Sequence, residues 1–290
     1  MVTGANGQLG SALRLWAEIN EDIAIFKFTD RRELDISNAE EVQNLVSKFQ
    51  PTYLINTAAF TQVDKAEDES ELAYQINTYS LKTLAEISQK YDCRLIHISS
   101  DYIYHSFENT PLKEESPKSP QGVYARSKYL GEKIIQKNSN RYSIFRTSWV
   151  FHETNSNFVK TMIRLGNEKD ELSVVSDQIG TPTYAGHLAE AIMYFIQKIE
   201  NGNISDVKAN GIFNFSNEGV CSWYDFALEI FESIGLKTKV TPIASIEFPT
   251  AASRPPFSVL DKSKFKSLTG YEIPHWKVGL KLCLKKLENG

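Results

Sequence analysis

The sequence predicts an α/β fold in which a doubly wound parallel sheet is joined to a smaller C-terminal lobe. Short runs rich in β-branched residues alternate with longer amphipathic stretches through the first half of the chain, which is typical of βαβ units. A glycine-rich turn follows the first run, and the alternation becomes less regular after Arg146. These observations favour helices on both faces of one parallel sheet, followed by a second unit.

The predicted elements follow from two periodicities. Short β-branched runs predict strands at 23–26, 53–56, 94–98 and 142–145. Apolar residues at helical spacing predict helices at 39–49, 71–91, 124–136, 158–165, 187–197 and 223–234. The segment 107–123 is predicted to be a surface loop, because it contains Pro111, Pro117, Pro120 and Gly122.

The bulk composition excludes several classes of protein. Apolar residues make up 41% and charged residues 23% of the chain, as in ordinary globular proteins. The formal net charge of -4 argues against nucleic acid or an anionic membrane as a partner. Cys93, Cys221 and Cys283 are far apart and form no CxxC pair, which favours a reducing compartment. No apolar run reaches membrane-spanning length and the N-terminus does not resemble a leader, so we expect a cytoplasmic protein.

The glycine loop, residues 4–10, has the composition of a dinucleotide site. Gly4, Gly7 and Gly10 lie between a strand stub and a helix, where glycines permit a tight turn and let backbone N–H groups approach a pyrophosphate. Its GxxGxxG spacing resembles the extended branch of the short-chain dehydrogenases. The loop residues predicted to bind the cofactor are Gly4, Asn6, Gly7, Gln8, Leu9 and Gly10.

The cofactor predicted for this loop is a nicotinamide dinucleotide, NADH or NADPH. After the second strand an acidic residue favours a free ribose hydroxyl and an arginine favours its phosphate. Asp30 and Arg31 stand side by side with Arg32, so the signals are mixed, with a slight preference for NADPH. The remaining residues predicted to line the cofactor are Asp35, Ile36, Ala58, Ala59 and Thr61.

The length of 290 residues predicts two domains, or one large domain with an appended lobe. We expect a Rossmann-like dinucleotide-binding domain at 1–148 and a substrate-binding lobe at 149–290, with the strand near 211–215 as a candidate to return to the main sheet. Only Met1, Val2 and Thr3 precede Gly4, although a first strand normally supplies more buried residues. We therefore expect a few apolar residues before Met1 in the native chain.

Three residues predict hydride-transfer chemistry at a carbonyl. Tyr124 and Lys128 are four apart, so on a helix they share one face, and Ser100 ends the preceding strand. A free tyrosine has a pKa near ~10, and one ammonium about 4 Å away contributes ~4 kcal/mol, enough to lower that pKa by roughly 3 units. The predicted catalytic group is therefore Ser100, Tyr124 and Lys128, with Tyr124 as proton donor. Tyr124 and Lys128 are also predicted to contact the cofactor.

The histidines offer no rival chemistry. His97 falls inside an apolar strand, and the other histidines have no metal-ligand spacing among them. A structural or surface role is expected for each histidine, and no protein metal site is predicted.

The chain resembles the dTDP-4-dehydrorhamnose reductases, a family of extended short-chain dehydrogenase/reductases. The first-half motifs that carry the resemblance are GANGQLG at 4–10, NTAAFTQVDKAE at 56–67, SSDYIY at 99–104 and YARSK at 124–128. More specific are the later motifs FRTSWVF at 145–151, NFVKTM at 157–162, SDQIGTPT at 176–183 and ASRP at 252–255.

The resemblance implies NAD(P)H-dependent reduction of the 4-keto group of dTDP-6-deoxy-L-lyxo-4-hexulose to dTDP-L-rhamnose, a sugar nucleotide of cell-surface polysaccharide synthesis. It assigns the catalytic roles to Ser100, Tyr124 and Lys128. Asp101 and Tyr102 would lie beside the sugar, and Val63 and Trp149 would wall its pocket. The residues implied to meet the nucleotide diphosphate are Asn157, Lys160 and Arg254.

Some members of this family dimerise through a magnesium ion held partly by a glutamate of the first helix. The matching position is Ala12, so magnesium is doubtful, and both a monomer and a homodimer stay open. Two other functions also stay open. A sugar-nucleotide epimerase would use the same fold and Tyr124, and a non-catalytic subunit would resemble the regulatory subunits of methionine adenosyltransferase.

Overall fold

The computed structural model describes residues 1–105, 107 and 109–289. Its strands are β1 (Val2–Thr3), β2 (Phe28–Thr29), β3 (Tyr53–Asn56), β4 (Arg94–Ser100), β5 (Tyr142–Thr147), β6 (Val150–Phe151), β7 (Glu171–Val175), β8 (Ile179–Gly180), β9 (Thr183–Tyr184), β10 (Gly211–Asn214), β11 (Cys221–Ser222) and β12 (Lys239–Ile243).

The helices alternate with these strands along the chain. They are α1 (Gln8–Ile19), α2 (Ala39–Phe49), α3 (Lys65–Asp68), α4 (Ser70–Tyr74), α5 (Ser80–Lys90), α6 (Gly122–Asn138), α7 (Phe158–Glu168), α8 (Ala185–Glu200), α9 (Asp206–Ala209), α10 (Trp223–Ile234), α11 (Ser263–Thr269) and α12 (Trp276–Asn289). A π-helical turn, Gln75–Tyr79, joins α4 to α5, and short 3₁₀ turns cover Asp101–Ile103 and Ser245–Glu247.

A six-stranded sheet in the order β10-β5-β4-β3-β1-β2 forms the centre of the molecule. Every neighbouring pair in it is parallel. The prediction of an α/β fold with a doubly wound parallel sheet is confirmed. The strand order reverses between β1 and β3, and the crevice outside the carboxyl ends of two such strands is where ligands bind in these folds.

Most of the predicted strands are confirmed, but the one at 23–26 is wrong. Ile23 is 49% exposed and Ile25 is 87% exposed, so this apolar run does not enter the core. The edge strand begins only at Phe28, which pairs with Val2 of β1. Strands β3, β4 and β5 lie where their apolar runs predict them. In the predicted loop 107–123, Glu108 lies outside the described residues, and α6 already begins at Gly122.

The helix predicted at 71–91 contains the π-helical turn, and this turn positions the helix that carries Tyr124. Asn77 in the turn donates to the Phe60 carbonyl (3.0 Å) and to Ser127 Oγ (3.1 Å), and its Oδ1 accepts from the Phe60 N–H (2.9 Å). A Cβ on Gly131 of α6 would collide with the Asn77 carbonyl oxygen. Asn77 thus ties α6 to the loop that follows β3.

Buried apolar side chains of the described residues form three large clusters, two of which bear on the domain division. The first packs Phe145 of β5 and Phe213 of β10 against Phe195 of α8, and it also contains Leu13 of α1. The second, away from the sheet, is built from residues of β6, α7, α10 and α12: Phe151, Val159, Phe226 and Leu280. Because α8 and β10 follow residue 148 yet belong to the first core, the sheet layer uses residues from both predicted domains. The division of the chain into domains at 1–148 and 149–290 stays a prediction. Residue 290 lies outside the described residues.

Across the residues that the structure describes, no helix is both long enough and apolar enough to cross a lipid bilayer.

Candidate active site

The glycine loop fits a dinucleotide at the crevice between β1 and β3. Gly4 has φ +70°, and a Cβ there would lie 2.6 Å from the backbone nitrogen of Ala58. A Cβ on Gly10 would collide with the Gly4 carbonyl oxygen. Gly7 is the N-cap of α1. No side chain among the described residues caps the N-terminal N–H groups of this helix. The loop therefore leaves a bare backbone and a helix N-terminus open to an anionic group.

Asp30 lies just after β2 and contacts the glycine loop through Asn6. Its Oδ2 accepts from Asn6 Nδ2 (2.7 Å), and its Oδ1 accepts from the backbone N–H groups of Arg32 (2.8 Å) and Glu33 (3.1 Å). The hydrogen bond from the Arg32 backbone lowers the pKa of Asp30, so it is a carboxylate at neutral pH. Arg31 and Arg32 are exposed beside it.

The other predicted cofactor residues are divided between the crevice wall and the surface. Ala58 packs against Gly4, and its N–H donates to Asn56 Oδ1 (3.2 Å). Ile36 is buried, whereas Asp35 accepts from the backbone and hydroxyl of Ser37 (2.9 and 2.7 Å). Leu9 is buried in the core, Ala59 is half-buried and Thr61 is exposed.

The structure brings Ser100 and Tyr124 together at the carboxyl end of β4. Ser100 Oγ donates to Asp101 Oδ1 (3.1 Å) and accepts from the Tyr102 N–H (3.2 Å), and it lies close enough to the Tyr124 side chain to lower the pKa of Tyr124. The Tyr102 ring stands edge-on to the Tyr124 ring, with centroids 5.5 Å apart. Ser100, Asp101, Tyr102 and Tyr124 therefore form one contiguous group at the edge of the sheet.

The expected lowering of the Tyr124 pKa is wrong in this structure. Burial raises the pKa of Tyr124 to about 12, the Ser100 hydrogen bond opposes this rise, and the nearby Asp101 adds to it. The sequence argument assumed an ammonium aimed at the phenol. Instead, Lys128 Nζ donates to the Ile98 carbonyl (2.7 Å) and lies 3.3 Å from His97 Nε2.

Lys128 lies one turn after Tyr124 in α6 and is only 2% exposed. Burial lowers the pKa of Lys128 to about 8, because an ammonium loses hydration there, and the Coulomb field of Glu132 opposes the shift. Its side chain reaches across the face of β4. The predicted trio is thus positioned by two elements, β4 for Ser100 and α6 for Tyr124 and Lys128.

Arg254 lies near Tyr102 and forms an ion pair with Asp64. Its Nη1 and Nη2 donate to the two carboxylate oxygens of Asp64 (3.0 and 2.5 Å), and Nη1 also donates to the Ala252 carbonyl (2.8 Å). The charges of Asp64 and Arg254 both act on Tyr102. Val63 precedes Asp64 and is half-buried. The Asp64–Arg254 pair therefore joins the two halves of the chain, next to the group formed by Ser100, Asp101, Tyr102 and Tyr124.

Trp149 and Ser258 both lie beside Gly180, and Ser258 is close enough to Asp101 to affect its pKa. The Trp149 backbone has φ +48° and its indole stacks on Trp223 with centroids 3.5 Å apart. A Cβ on Gly180 would lie 2.7 Å from the Trp149 ring and 2.8 Å from Ser258 Oγ, so glycine leaves room for both. Ser258 also lowers the pKa of Asp101, against the larger effect of burial.

Asn157 and Lys160 contact a different region. Asn157 caps α7 by accepting from the Lys160 N–H (3.1 Å), and its Nδ2 donates to Gln8 Oε1 (3.1 Å) and the His152 carbonyl (2.6 Å). Lys160 Nζ donates to the Glu153 carbonyl (3.4 Å). These contacts lie beside the glycine loop rather than beside Tyr102.

Within the described ranges, no group of three or more His, Cys, Asp or Glu residues is arranged to hold a metal ion. Ala12, the position that matches the family's glutamate, is buried in the first core.

Three residues of this region were missed by the sequence argument: Asp64, His97 and Ser258. His97 was interpreted as structural, yet it contacts Lys128. A titratable residue inside an apolar strand that leads to Ser100 was the available signal. Nothing local marks Asp64 or Ser258, because their partners are distant in sequence.

Burial of Asp101 predicts a pH-dependent stability. Full burial raises the pKa of Asp101 from 3.8 to about 7. Between these values the folded state holds the extra proton, so the free energy of unfolding falls as pH rises, by at most about 1.4 kcal/mol per pH unit. Asp101→Asn should remove this component. Urea unfolding of both proteins between about pH 4.5 and 6.5 measures the difference; identical slopes would contradict it.

The chain matches one family of reductases along its length. The model of the RmlD substrate binding domain matches residues 1–289. The dTDP-4-dehydrorhamnose reductase of Aggregatibacter actinomycetemcomitans is 38% identical over 287 residues, covering 97% of this chain and 96% of that protein.

Solved structures agree with this match. The crystal structure of a dTDP-4-dehydrorhamnose reductase from Clostridium acetobutylicum has a TM-score of 0.92 at 38% identity, covering 99% of this chain and 98% of that one. That of the Bacillus anthracis reductase, in complex with NADP, has a TM-score of 0.91 at 38% identity, covering 98% of each chain. This chain therefore belongs to the RmlD substrate binding domain family, together with the dTDP-4-dehydrorhamnose reductases.

Proposed function

We propose that this chain reduces the 4-keto group of dTDP-6-deoxy-L-lyxo-4-hexulose, yielding dTDP-L-rhamnose for cell-surface polysaccharide synthesis. The observation that carries the proposal is the contact between Ser100 and Tyr124 at the carboxyl end of β4, in the fold whose β1 turn fits a dinucleotide. Family membership at 38% identity to a reductase favours reduction over epimerisation or a regulatory role.

In this proposal Tyr124 is the general acid. A bound reduced nicotinamide supplies the hydride to the carbonyl carbon. Tyr124 gives its phenolic proton to the carbonyl oxygen, and the raised pKa of Tyr124 keeps that proton in place at neutral pH until a strongly basic oxygen forms. Ser100 Oγ, which lies beside Tyr124, would orient the same oxygen by turning its hydroxyl from Asp101 Oδ1 toward it. Lys128 supplies donors for the cofactor ribose.

The substrate pocket is proposed to lie between the β4 group and the C-terminal lobe. Tyr102 and Val63 would contact the sugar from one side and Trp149 from the other. Arg254, held by Asp64, would meet the diphosphate with the donors that Asp64 leaves open, since guanidinium carries five N–H groups. Asn157 and Lys160 would also contact the nucleotide diphosphate of the substrate, at the end of the pocket near Gln8.

NADPH is the proposed cofactor. The Asp30 carboxylate is occupied by Asn6 and two backbone donors, which leaves the exposed Arg31 and Arg32 to meet a ribose phosphate. The oligomeric state (monomer or homodimer), the doubtful role of magnesium and the cytoplasmic location stay predictions.

Replacing Arg31 with alanine tests this cofactor assignment. We expect KM for NADPH to rise about 10-fold, the loss of roughly 1.4 kcal/mol of phosphate binding, while KM for NADH stays unchanged. Initial rates with each cofactor measure both values. Lys27→Ala, which removes another positive charge near β2, is the matched control. An equal rise for both cofactors would show that Arg31 does not read the phosphate.

The test of the proposed function is an assay with the 4-keto-deoxyhexulose nucleotide and either NADPH or NADH. We expect one cofactor molecule oxidised for each sugar reduced, with dTDP-L-rhamnose identified by chromatography. An epimerase would change the sugar without net cofactor consumption, and a regulatory subunit would do neither. Either result would overturn the proposal.

A further inference from the structure

A chain of buried hydrogen bonds leads from β1 and β3 to Lys128. Asn56 Oδ1 accepts from Thr3 Oγ1 (2.7 Å) and from the Ala58 N–H (3.2 Å). A backbone N–H can only donate, so the atom of Asn56 that faces Ala58 has to be the oxygen. The amide orientation of Asn56, which is completely buried, is therefore fixed.

The orientation of Asn56 fixes the tautomer of His97. Asn56 Nδ2 lies 3.1 Å from His97 Nδ1, and an amide nitrogen donates, so Nδ1 has to accept. Burial lowers the pKa of His97 well below its usual value, so the ring is neutral. A neutral ring that accepts at Nδ1 carries its proton on Nε2.

The Nε2–H of His97 points to Lys128 Nζ, 3.3 Å away. An ammonium has three donors and no lone pair, so it cannot accept this hydrogen bond, whereas an uncharged amine can. Lys128 Nζ still donates to the Ile98 carbonyl (2.7 Å). The donors then run in one direction from Ala58 through Asn56, His97 and Lys128, and no two donors face each other.

We propose that His97 is a positioning residue for Lys128: fixed by Asn56 as the Nε2–H tautomer, it holds Lys128 Nζ as an uncharged amine that takes up a proton from solvent when the cofactor binds. This inference rests on the proposed function for the identity of the ligand. The diphosphate and ribose oxygens of a dinucleotide both favour an ammonium, which supplies the reason for the uptake.

The other groups around Lys128 are consistent with an uncharged amine. On its own helix it faces Tyr124, whose raised pKa keeps it neutral, and Glu132. The Glu132 carboxylate is occupied by two hydrogen bonds from Arg146 of β5 (2.9 and 2.7 Å). From β4 it faces the neutral His97. Burial lowers the pKa of Lys128 to about 8 even with Glu132 nearby, so the uncharged amine is the main form above about pH 8.

The tautomer can be tested without any ligand. Long-range ¹H–¹⁵N spectra at about pH 9, where the Lys128 amine is mainly uncharged, distinguish the two tautomers of each ring in the full chain labelled in its five histidines. His187 is an internal reference, because its Nδ1 likewise faces Asn217 Nδ2 (2.8 Å) while Asn217 Oδ1 accepts from the Tyr184 N–H (2.8 Å). We expect both rings as Nε2–H. A His97 protonated on Nδ1, or on both nitrogens, would overturn the proposal.

His97→Gln assigns the His97 signals by their loss, and sequential backbone assignment replaces it if that variant does not fold. Asn56→Asp is the matched variant, since a carboxylate accepts at both oxygens. It should move the His97 proton to Nδ1, so that Nε2 accepts from an ammonium. His187 should not change in this variant, and an unchanged His97 tautomer would contradict the donor chain.

Proton uptake is measured by titrating NADPH calorimetrically in buffers of different ionisation enthalpy. At about pH 9 the unchanged chain should take up close to one proton per NADPH bound, and Asn56→Asp much less. Binding without uptake in the unchanged chain would overturn the proposal. If NADPH binds with uptake but the sugar is not reduced, the proposed function fails and the role of His97 stands.

Discussion

Replacing Tyr124 with phenylalanine is expected to lower kcat by roughly 10²- to 10⁴-fold, the range that a positioned general acid contributes. The phenol is the group that gives up a proton, and Ser100 beside it cannot replace it as proton donor, because an aliphatic hydroxyl is a much weaker acid than a phenol. The ring itself stays, so the edge-on packing with Tyr102 and the fold should persist.

Steady-state rates with the 4-keto sugar nucleotide, together with the NADPH dissociation constant, separate chemistry from binding. We expect the dissociation constant to stay within about 3-fold, since roughly 0.7 kcal/mol is the most that the lost hydroxyl should contribute to holding the cofactor. Tyr129→Phe is the matched control on the same helix, and its ring packs in a separate small cluster. A Tyr124→Phe enzyme with unchanged kcat would refute the assignment of Tyr124 as general acid.

Replacing Arg146 with methionine is expected to lower the free energy of unfolding by about 3–5 kcal/mol, because it leaves the buried Glu132 carboxylate without its partner. Both side chains of this ion pair are 1% exposed. Arg146 Nη1 also donates to Tyr104 Oη (2.7 Å) and to the Glu114 carbonyl (2.9 Å), and these acceptors lose their donor as well.

Two controls isolate the cost of the unpaired charge in urea unfolding. Arg164→Met removes an arginine from an exposed pair with Glu168, with side chains 60% and 50% exposed, and should cost less than about 1 kcal/mol. Adding Glu132→Leu to Arg146→Met should restore part of the stability, because both charges are then absent. Equal losses for Arg146→Met and Arg164→Met would contradict the argument.

The elements that could be predicted from the sequence are those whose burial depends only on their own residues. The runs that became β3, β4 and β5 are apolar and enter the sheet, and the spacing of Tyr124 and Lys128 is a property of one helix. The run at 23–26 looks the same, but its exposure depends on how far the edge of the sheet extends. The π-helical turn at Gln75–Tyr79 has no periodicity of its own in the sequence.

The electrostatics of the site could not be read from spacing. The predicted spacing of Tyr124 and Lys128 along one helix was correct. The direction of the Lys128 side chain, however, is set by His97 and the Ile98 carbonyl, which belong to β4. The same applies to Arg254, whose partner Asp64 is 190 positions away. Such pairings depend on tertiary contacts that a single sequence does not display.

The return of β10 and α8 to the sheet layer has a consequence for protein engineering. A chimera that grafted another reductase's residues onto this chain with one crossover at 148 would also replace Phe195 and Phe213, which pack against Phe145. The stretch between residue 148 and α8 can be exchanged, but the stretch after β10 cannot be exchanged as a whole, because Phe265 of α11 also packs against Phe145 (centroids 5.7 Å apart). A swap that keeps α8, β10 and α11 would transplant the wall around Trp149 and Arg254 while the native sheet keeps these contacts.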